Sequence, residues 1–194
     1  MKIKKRLETP LHFPCGTVMK NRFMLAPMTN TQSFEDGTLS EDEFHWLTMR
    51  AKGQFGLVMT CASHVNPSGK GFPGQLGIYS DKQISGHQRL VHGIKEHGSL
   101  AVIQLHHAGM RSPAELINQS PICPSTNEKH GAREMSLEEI EQLKIDFIDA
   151  AIRAKKCGYD GIEVHGAHGY ILTQFLSSEI NKRKDLYGGD LQNR

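Results

Sequence analysis

The chain has 194 residues, 38% hydrophobic and 23% charged, with a formal net charge of +2. That is enough for one ordinary core and fits a soluble globular protein. So small a charge gives no electrostatic case for nucleic acid, and the short basic run from Lys2 to Arg6 has no aromatic residues among it. No window approaches the roughly 18 apolar residues of a membrane span. Leu7-Glu-Thr-Pro10 after the basic run is not the apolar core of a signal peptide. Cys15, Cys61, Cys123 and Cys157 lie far apart without a CxxC pair and read as reduced thiols of a cytoplasmic protein. Eleven histidines is a high count, and His87, His92 and His97 read as surface or helix-face residues.

In chain order, Leu11-His-Phe and Thr17-Val-Met flank the turn signal Pro14-Cys-Gly and predict a hairpin. Arg22 to Pro27 is an apolar run of strand length closed by proline. Ser40-Glu-Asp-Glu43 has the spacing of a capping box, with Glu43 reaching back to the serine, and opens a helix through Phe44, Leu47 and Ala51 that ends near Gly53. Gly56 to Ala62 predicts a buried strand, followed by a Gly- and Pro-rich loop from Asn66 to Gly77. Ile84, Leu90, Val91 and Ile94 predict a helix stopped by Gly98, and Leu100 to Leu105 a third strand. Residues 106–135 read as one long polar loop, the kind that usually carries function. Ser136-Leu-Glu-Glu139 is a second capping box, opening a helix that Gly158 closes, and Tyr159 to Val164 is a fourth strand.

This alternation means a parallel sheet with right-handed crossovers. No G-x-G-x-x-G follows any strand, so a Rossmann site has no support. The other common parallel architecture, the (β/α)8 TIM barrel, needs about 250 residues. The chain supplies the N-terminal hairpin and the first four β/α units of one. It stops at Asn193-Arg194 without a helix end or turn signal and reads as the N-terminal part of a longer protein.

Barrel chemistry gathers at the C-terminal ends of strands. Those ends carry Pro27-Met28-Thr29, Cys61-Ala62-Ser63, Gln104-Leu105-His106 and His165-x-x-His168-x-Tyr170. No carboxylate pair suits a glycosidase. Pro27 can simply end a strand, Thr29 can be an ordinary loop hydroxyl, and Ala62 taken alone is core packing. Gln104 sits in an apolar run, where a buried amide must find partners in the backbone or in a ligand. His106 and His107 read as loop imidazoles. His165 and His168, spaced for one face of a helical turn, are either two metal ligands lacking an evident third or a pair of donors to a substrate oxygen. Tyr170 is either an aromatic packed under the long loop or a general acid, since a phenol of ordinary pKa about 10 stays protonated at neutral pH.

Taken together, these segments resemble the Old Yellow Enzyme family of FMN-dependent ene-reductases, over nearly the whole chain. The resemblance rests on Lys20-Asn-Arg-Phe-Met-Leu-Ala-Pro-Met28, Ala62-Ser-His-Val-Asn-Pro67, Gln104-Leu-His-His-Ala-Gly109, Val164-His-Gly-Ala-His-Gly-Tyr170, Gln174-Phe-Leu-Ser-Ser178 and Asn181-Lys-Arg-Lys-Asp-Leu-Tyr-Gly-Gly189. It implies that residues 1–194 form the N-terminal part of one FMN-binding barrel domain. It further implies that Pro27, Met28 and Thr29 lie along the flavin, that Ala62 packs near the ring, and that Gln104 bonds its pyrimidine edge. His165 and His168 become the substrate-oxygen donors and Tyr170 the proton donor. The implied reaction is ping-pong: NADH or NADPH reduces FMN, and hydride then passes to the β-carbon of an activated alkene or quinone-like small molecule. Thr29 stands where some members have cysteine, and Thr31 where the same members have tyrosine. Two readings compete: a metal-dependent barrel hydrolase using His165 and His168, and a non-catalytic half-barrel. The edge of the fourth strand leaves association of two copies into a homo-oligomer open.

Overall fold

The computed structural model describes residues 6–194, so most of the basic run from Lys2 lies outside the described residues. Short strands β1 (Leu11–His12) and β2 (Val18–Met19) pair antiparallel as the hairpin. Four parallel strands follow in the order β3 (Met24–Leu25), β4 (Leu57–His64), β5 (Leu100–His106) and β8 (Gly161–Val164). Between them run the helices α1 (Glu41–Lys52), α2 (Ile84–Lys95) and α4 (Leu137–Cys157). Because neighbours in the sheet are also neighbours in β/α order, the chain curls as the first half of a (β/α)8 barrel. Among the described residues, β3 and β8 are its two edges.

Each strand sorts its side chains to two faces. Leu25, Val58, Ala101, Ile103 and Leu105 point outward into one core with Leu47, Leu90, Ile94 and Ala154 of the helices. Leu57 and Met59 point inward and pack with Met19, Leu11, Phe13 and Val102, so the hairpin plugs the N-terminal ends of the strands. β3 pairs with β4 for only two residues, Met24 with Leu57 and Leu25 with Val58. Pro27, two residues on, has no N–H to give a ladder.

Several expectations need correction. Residues 106–135 are not one unpatterned loop. They hold helix α3 (Ala114–Ile117) and strands β6 (Ile122–Cys123) and β7 (Arg133–Glu134), which pair parallel. This small sheet and helix α5 (Ile171–Leu176) flank a second core of Ile122, Met135, Ile140, Leu143 and Ile171. α1 does not end on a left-handed glycine: Gly53 has φ −69° and Gln54 takes φ +74°. The Ser40 cap is only half a capping box. Ser40 Oγ accepts from the Glu43 N–H at 3.1 Å, but the Glu43 side chain turns away. It accepts from Ser33 Oγ and, at 3.0 Å, from Cys61 Sγ. Glu43 is fully buried, and the Cys61 thiol is pushed up by burial and then by that carboxylate. The second box, Ser136 with Glu139, is complete in both directions, and Gly158 caps α4 at φ +89°.

His87 is not a surface residue. It is fully buried, with Nδ1 2.7 Å from the Tyr159 hydroxyl and Nε2 2.9 Å from the Gly77 carbonyl. His64 is also buried, its Nδ1 3.1 Å from the Asn66 carbonyl and its ring against Tyr79. All four cysteines are free thiols. Among the described residues no helix is long and apolar enough to cross a membrane.

Two predictions follow from these buried groups. Glu43→Ala strands the Ser33 hydroxyl and the Cys61 thiol without an acceptor and should cost about 1.5–3 kcal/mol, read from urea unfolding. A loss below about 0.5 kcal/mol would show that Glu43 does not hold them. Burial pushes His64 and His87 down to about 4. A folded pKa below the ordinary value of about 6.5 favours the neutral form, so this stability is complete above pH 6.5 and is lost as the pH falls toward 4. Each histidine should remove up to about 1.4 kcal/mol per pH unit in that window. An unfolding midpoint that stays flat from pH 6.5 to 4.5 would contradict this.

Candidate functional site at the strand ends

Parallel pairing places residues of equal register on one face. Ala62 pairs with Gln104, and Gln104 with Glu163, giving an inward row across three strands. One step further, His64 pairs with His106, whose ring lies 5.7 Å from that of His165. The rows depend on a bulge in β4 between Met59 and Ala62. The Thr60 hydroxyl fills the gap in the ladder, accepting from the Gln104 N–H at 3.3 Å and donating to the Cys61 carbonyl at 2.8 Å. In the row itself, Gln104 is buried and its Nε2 donates to Glu163 Oε1 at 3.1 Å. Its Oε1 accepts no hydrogen bond from the described residues.

Beyond β8 the chain turns at Gly166–Gly169 and enters α5 with Tyr170 as its N-cap. The expected helical turn at His165-x-x-His168 is therefore not helical. His168 has φ +56° and Gly169 φ +69°. A histidine in the left-handed region carries strain, and such residues cluster at functional sites. The His165 and His168 rings stand 5.1 Å apart and nearly perpendicular, and the Tyr170 ring lies 5.1 Å from His165 and 4.3 Å from His106. The ring nitrogens of His165 and His168 and the Tyr170 hydroxyl make no hydrogen bond with the described residues. Burial pushes His165 down, helped by His168 and opposed by Glu163. His165 is therefore a neutral imidazole at pH 7. His106 is pushed well below its ordinary value by burial and then by its neighbours His107, His165 and His64.

Gln174 and Arg111 hold this turn, and His107 holds the loop beside it. Gln174 is fully buried; its Oε1 accepts from the Met110 N–H at 3.1 Å, and its Nε2 donates to the Ala108 and Gly169 carbonyls at 3.1 and 2.8 Å. That ties the loop after β5 to the turn after β8. The side chain presses so close to Gly109 that a Cβ there would lie 2.3 Å from Gln174 Oε1. His107, pushed down to about 3 by burial, accepts from the Gly109 N–H through Nδ1 at 3.0 Å. Its Nε2 therefore carries the proton and donates to Ser68 Oγ at 3.2 Å. Arg111 donates to the His168 carbonyl and sets its guanidinium 5.1 Å from the centre of the Tyr170 ring.

The structure thus brings Ala62, Gln104, His165, His168 and Tyr170 to one end of the sheet. Pro27, Met28 and Thr29 follow β3 at the same end, with Met28 half exposed. The backbone groups of these three residues make no hydrogen bond with the described residues, and Met28 and Thr29 are exposed at the strand end. An unspent amide acceptor, a small side chain beside it and a stretch of free backbone fit the edge and flank of a flat heterocycle such as a flavin. A metal fits less well. Among the described residues no cluster of three or more His, Cys, Asp or Glu side chains forms, which leaves the hydrolase reading without a geometric basis. Reading the sequence missed Arg111 and the partnership of Glu163 with Gln104, and treated His106 and His107 as loop imidazoles. Inward alternation along β8 from Gly161 to Glu163 to His165 was the signal that places Glu163 in the site.

Comparison with known proteins agrees with this architecture. The model of the NADH:flavin oxidoreductase / NADH oxidase family matches residues 6–194. A probable NADH-dependent flavin oxidoreductase, YqiG, of Bacillus subtilis is 41% identical over 98% of this chain and 52% of its own length. An NADH:fumarate oxidoreductase of Klebsiella pneumoniae is 36% identical over the whole chain and 22% of its own length. The solved Old Yellow Enzyme homologue from Zymomonas mobilis superposes with a TM-score of 0.89 at 29% identity, over 96% of this chain and 56% of that one. The chain thus spans about half the length of the first of these relatives. With the family model matching the whole described length, the chain belongs to the NADH:flavin oxidoreductase / NADH oxidase family, a family of FMN- and nicotinamide-dependent oxidoreductases.

Proposed function

We propose that residues 1–194 contribute the N-terminal part of one FMN-binding barrel domain that reduces activated alkenes or quinone-like small molecules. The observation that carries this reading is the convergence of three unspent polar groups, on His165, His168 and Tyr170, at the strand end that also holds the unspent Gln104 acceptor. When bound, FMN would supply the hydride chemistry that links NADH or NADPH oxidation to reduction of the alkene at the carbon β to an electron-withdrawing group. Pro27, Met28 and Thr29 would hold it through their free backbone groups, with Ala62 leaving room beside them and Gln104 offering its free acceptor.

The rest falls to this chain's own side chains. His165 and His168 donate hydrogen bonds to the substrate oxygen. For His165 the neutral form that burial favours suits this role, because a donor that starts uncharged stabilises negative charge as it develops without being neutralised beforehand. Tyr170 holds the proton that completes the reduction and delivers it to the carbon α to the activating group. Buried Gln174 and the Arg111 guanidinium keep the His168–Tyr170 turn in place.

Two measurements on the full-length protein test this. Tyr170→Phe should slow alkene reduction while flavin reduction by NAD(P)H persists. An equal fall in both half-reactions would remove Tyr170 from the proton-donor role. His165→Ala should weaken phenol or enone binding by about 1.5–3 kcal/mol, the value of a hydrogen bond to a charged oxygen. Unchanged phenol affinity would take His165 out of the oxygen-binding pair.

A further inference from the structure

We infer that Glu163 is a positioning residue that sets which way the Gln104 amide faces. The inference rests on the reading of Gln104 as a cofactor contact. The two side chains are register partners on β5 and β8, with Gln104 Nε2 donating to Glu163 Oε1 at 3.1 Å.

An ionised carboxylate only accepts hydrogen bonds, whereas a primary amide both donates and accepts. Only the NH2 end of Gln104 can therefore face Glu163. The carbonyl end, Oε1, is left as the acceptor that meets a ligand, with the second N–H beside it. An isolated amide has two flip states of similar energy, and a ligand selects one of them at a cost in affinity. Glu163 removes that choice before any ligand arrives. The edge it selects is one with a ring N–H donor next to a carbonyl oxygen, which is the edge of a cyclic imide. Glu163 also leaves a fixed negative charge one side chain away from that edge, which opposes the addition of electrons to whatever binds there.

The test is a double-mutant cycle on FMN affinity in the full-length protein, using Gln104→Ala, the isosteric Glu163→Gln and the double variant. Gln104→Ala should weaken FMN about tenfold or more, as loss of a buried hydrogen bond does. Glu163→Gln should weaken FMN about twofold when Gln104 is present, because the amide regains a second orientation of similar energy. In the Gln104→Ala background, where there is no amide to turn, the same change should leave FMN affinity unchanged. Removing the charge should also raise the midpoint potential of bound FMN, a readout that loss of packing alone does not move. Equal losses in both backgrounds, an unchanged affinity for Glu163→Gln, or a potential that fails to rise would each overturn the role of Glu163. An unchanged affinity for Gln104→Ala would instead overturn the cofactor reading of Gln104, and this inference with it.

Discussion

Between Met59 and Ala62, β4 advances three residues while β5 advances two, from Val102 to Gln104. That one additional residue reverses the parity of everything beyond it. Without it Cys61 would occupy the inward row beside Gln104, and the Ala62 side chain would face the helices. With it, Cys61 points outward to donate to Glu43, and the smallest side chain available stands next to the buried amide. The bulge would leave the ladder short of one acceptor, and the Thr60 hydroxyl supplies it. Gln75 secures the far side, donating to the Ala62 carbonyl at 2.8 Å. The bulge also acts at a distance. The Glu43 that receives Cys61 receives Ser33 as well, which ties the segment after Pro27–Thr29 to the same strand.

The fold was largely legible because its signals are local. Hydrophobic runs of strand length, serine caps with a glutamate three residues on, and a closing glycine on α4 each act within a few residues of chain. The misses share a cause, since they concern where a side chain goes once the core exists. Glu43 has the spacing of a capping box, and nothing nearby reveals that two buried donors will outcompete the serine N–H. His87 sits on a helix whose neighbours Gln88 and Arg89 are polar, yet the Gly77 carbonyl and the Tyr159 hydroxyl give it partners in the interior. The bulge was invisible because β4 is buried along its whole length, so no alternation marks the parity. The segment from 106 to 135 looked unpatterned because its strands have only two residues each, too few for any period to show.

The resemblance was drawn from motifs, and the structure shows what several of them do. Gln174 opens one motif and fastens two loops through three hydrogen bonds. In another, Asn181 donates to the Phe175 and Tyr187 carbonyls at 2.9 and 2.6 Å. Arg183, in the same motif, is buried and donates to the Pro124 and Met135 carbonyls at 2.9 and 2.7 Å. These residues reach none of the converging polar groups. They brace the small sheet of β6 and β7 and the start of α5, which together hold the His168–Tyr170 turn in a conformation that a histidine rarely adopts. Motif positions of this kind signal a strained site indirectly, through the structure needed to keep it.

Charge at the strand ends is arranged as sharply as shape. His64, His106, His107 and His165 are all driven toward the neutral form, chiefly by burial, and their mutual repulsion reinforces it at His106. A cluster of four imidazoles therefore stands at the strand ends without adding positive charge, two of them with their N–H groups already bonded to Ser68 and the Asn66 carbonyl. The carboxylate of Glu163 stands at the border of this cluster, bonded to Gln104 and acting against the neutralisation of His165. Removing that carboxylate would leave His165 still more firmly neutral while freeing the amide to turn. The donor function of the histidines and the acceptor function of Gln104 are thus linked through one side chain. That side chain faces the site only because β8 keeps register with β5 from Gly161 to Val164.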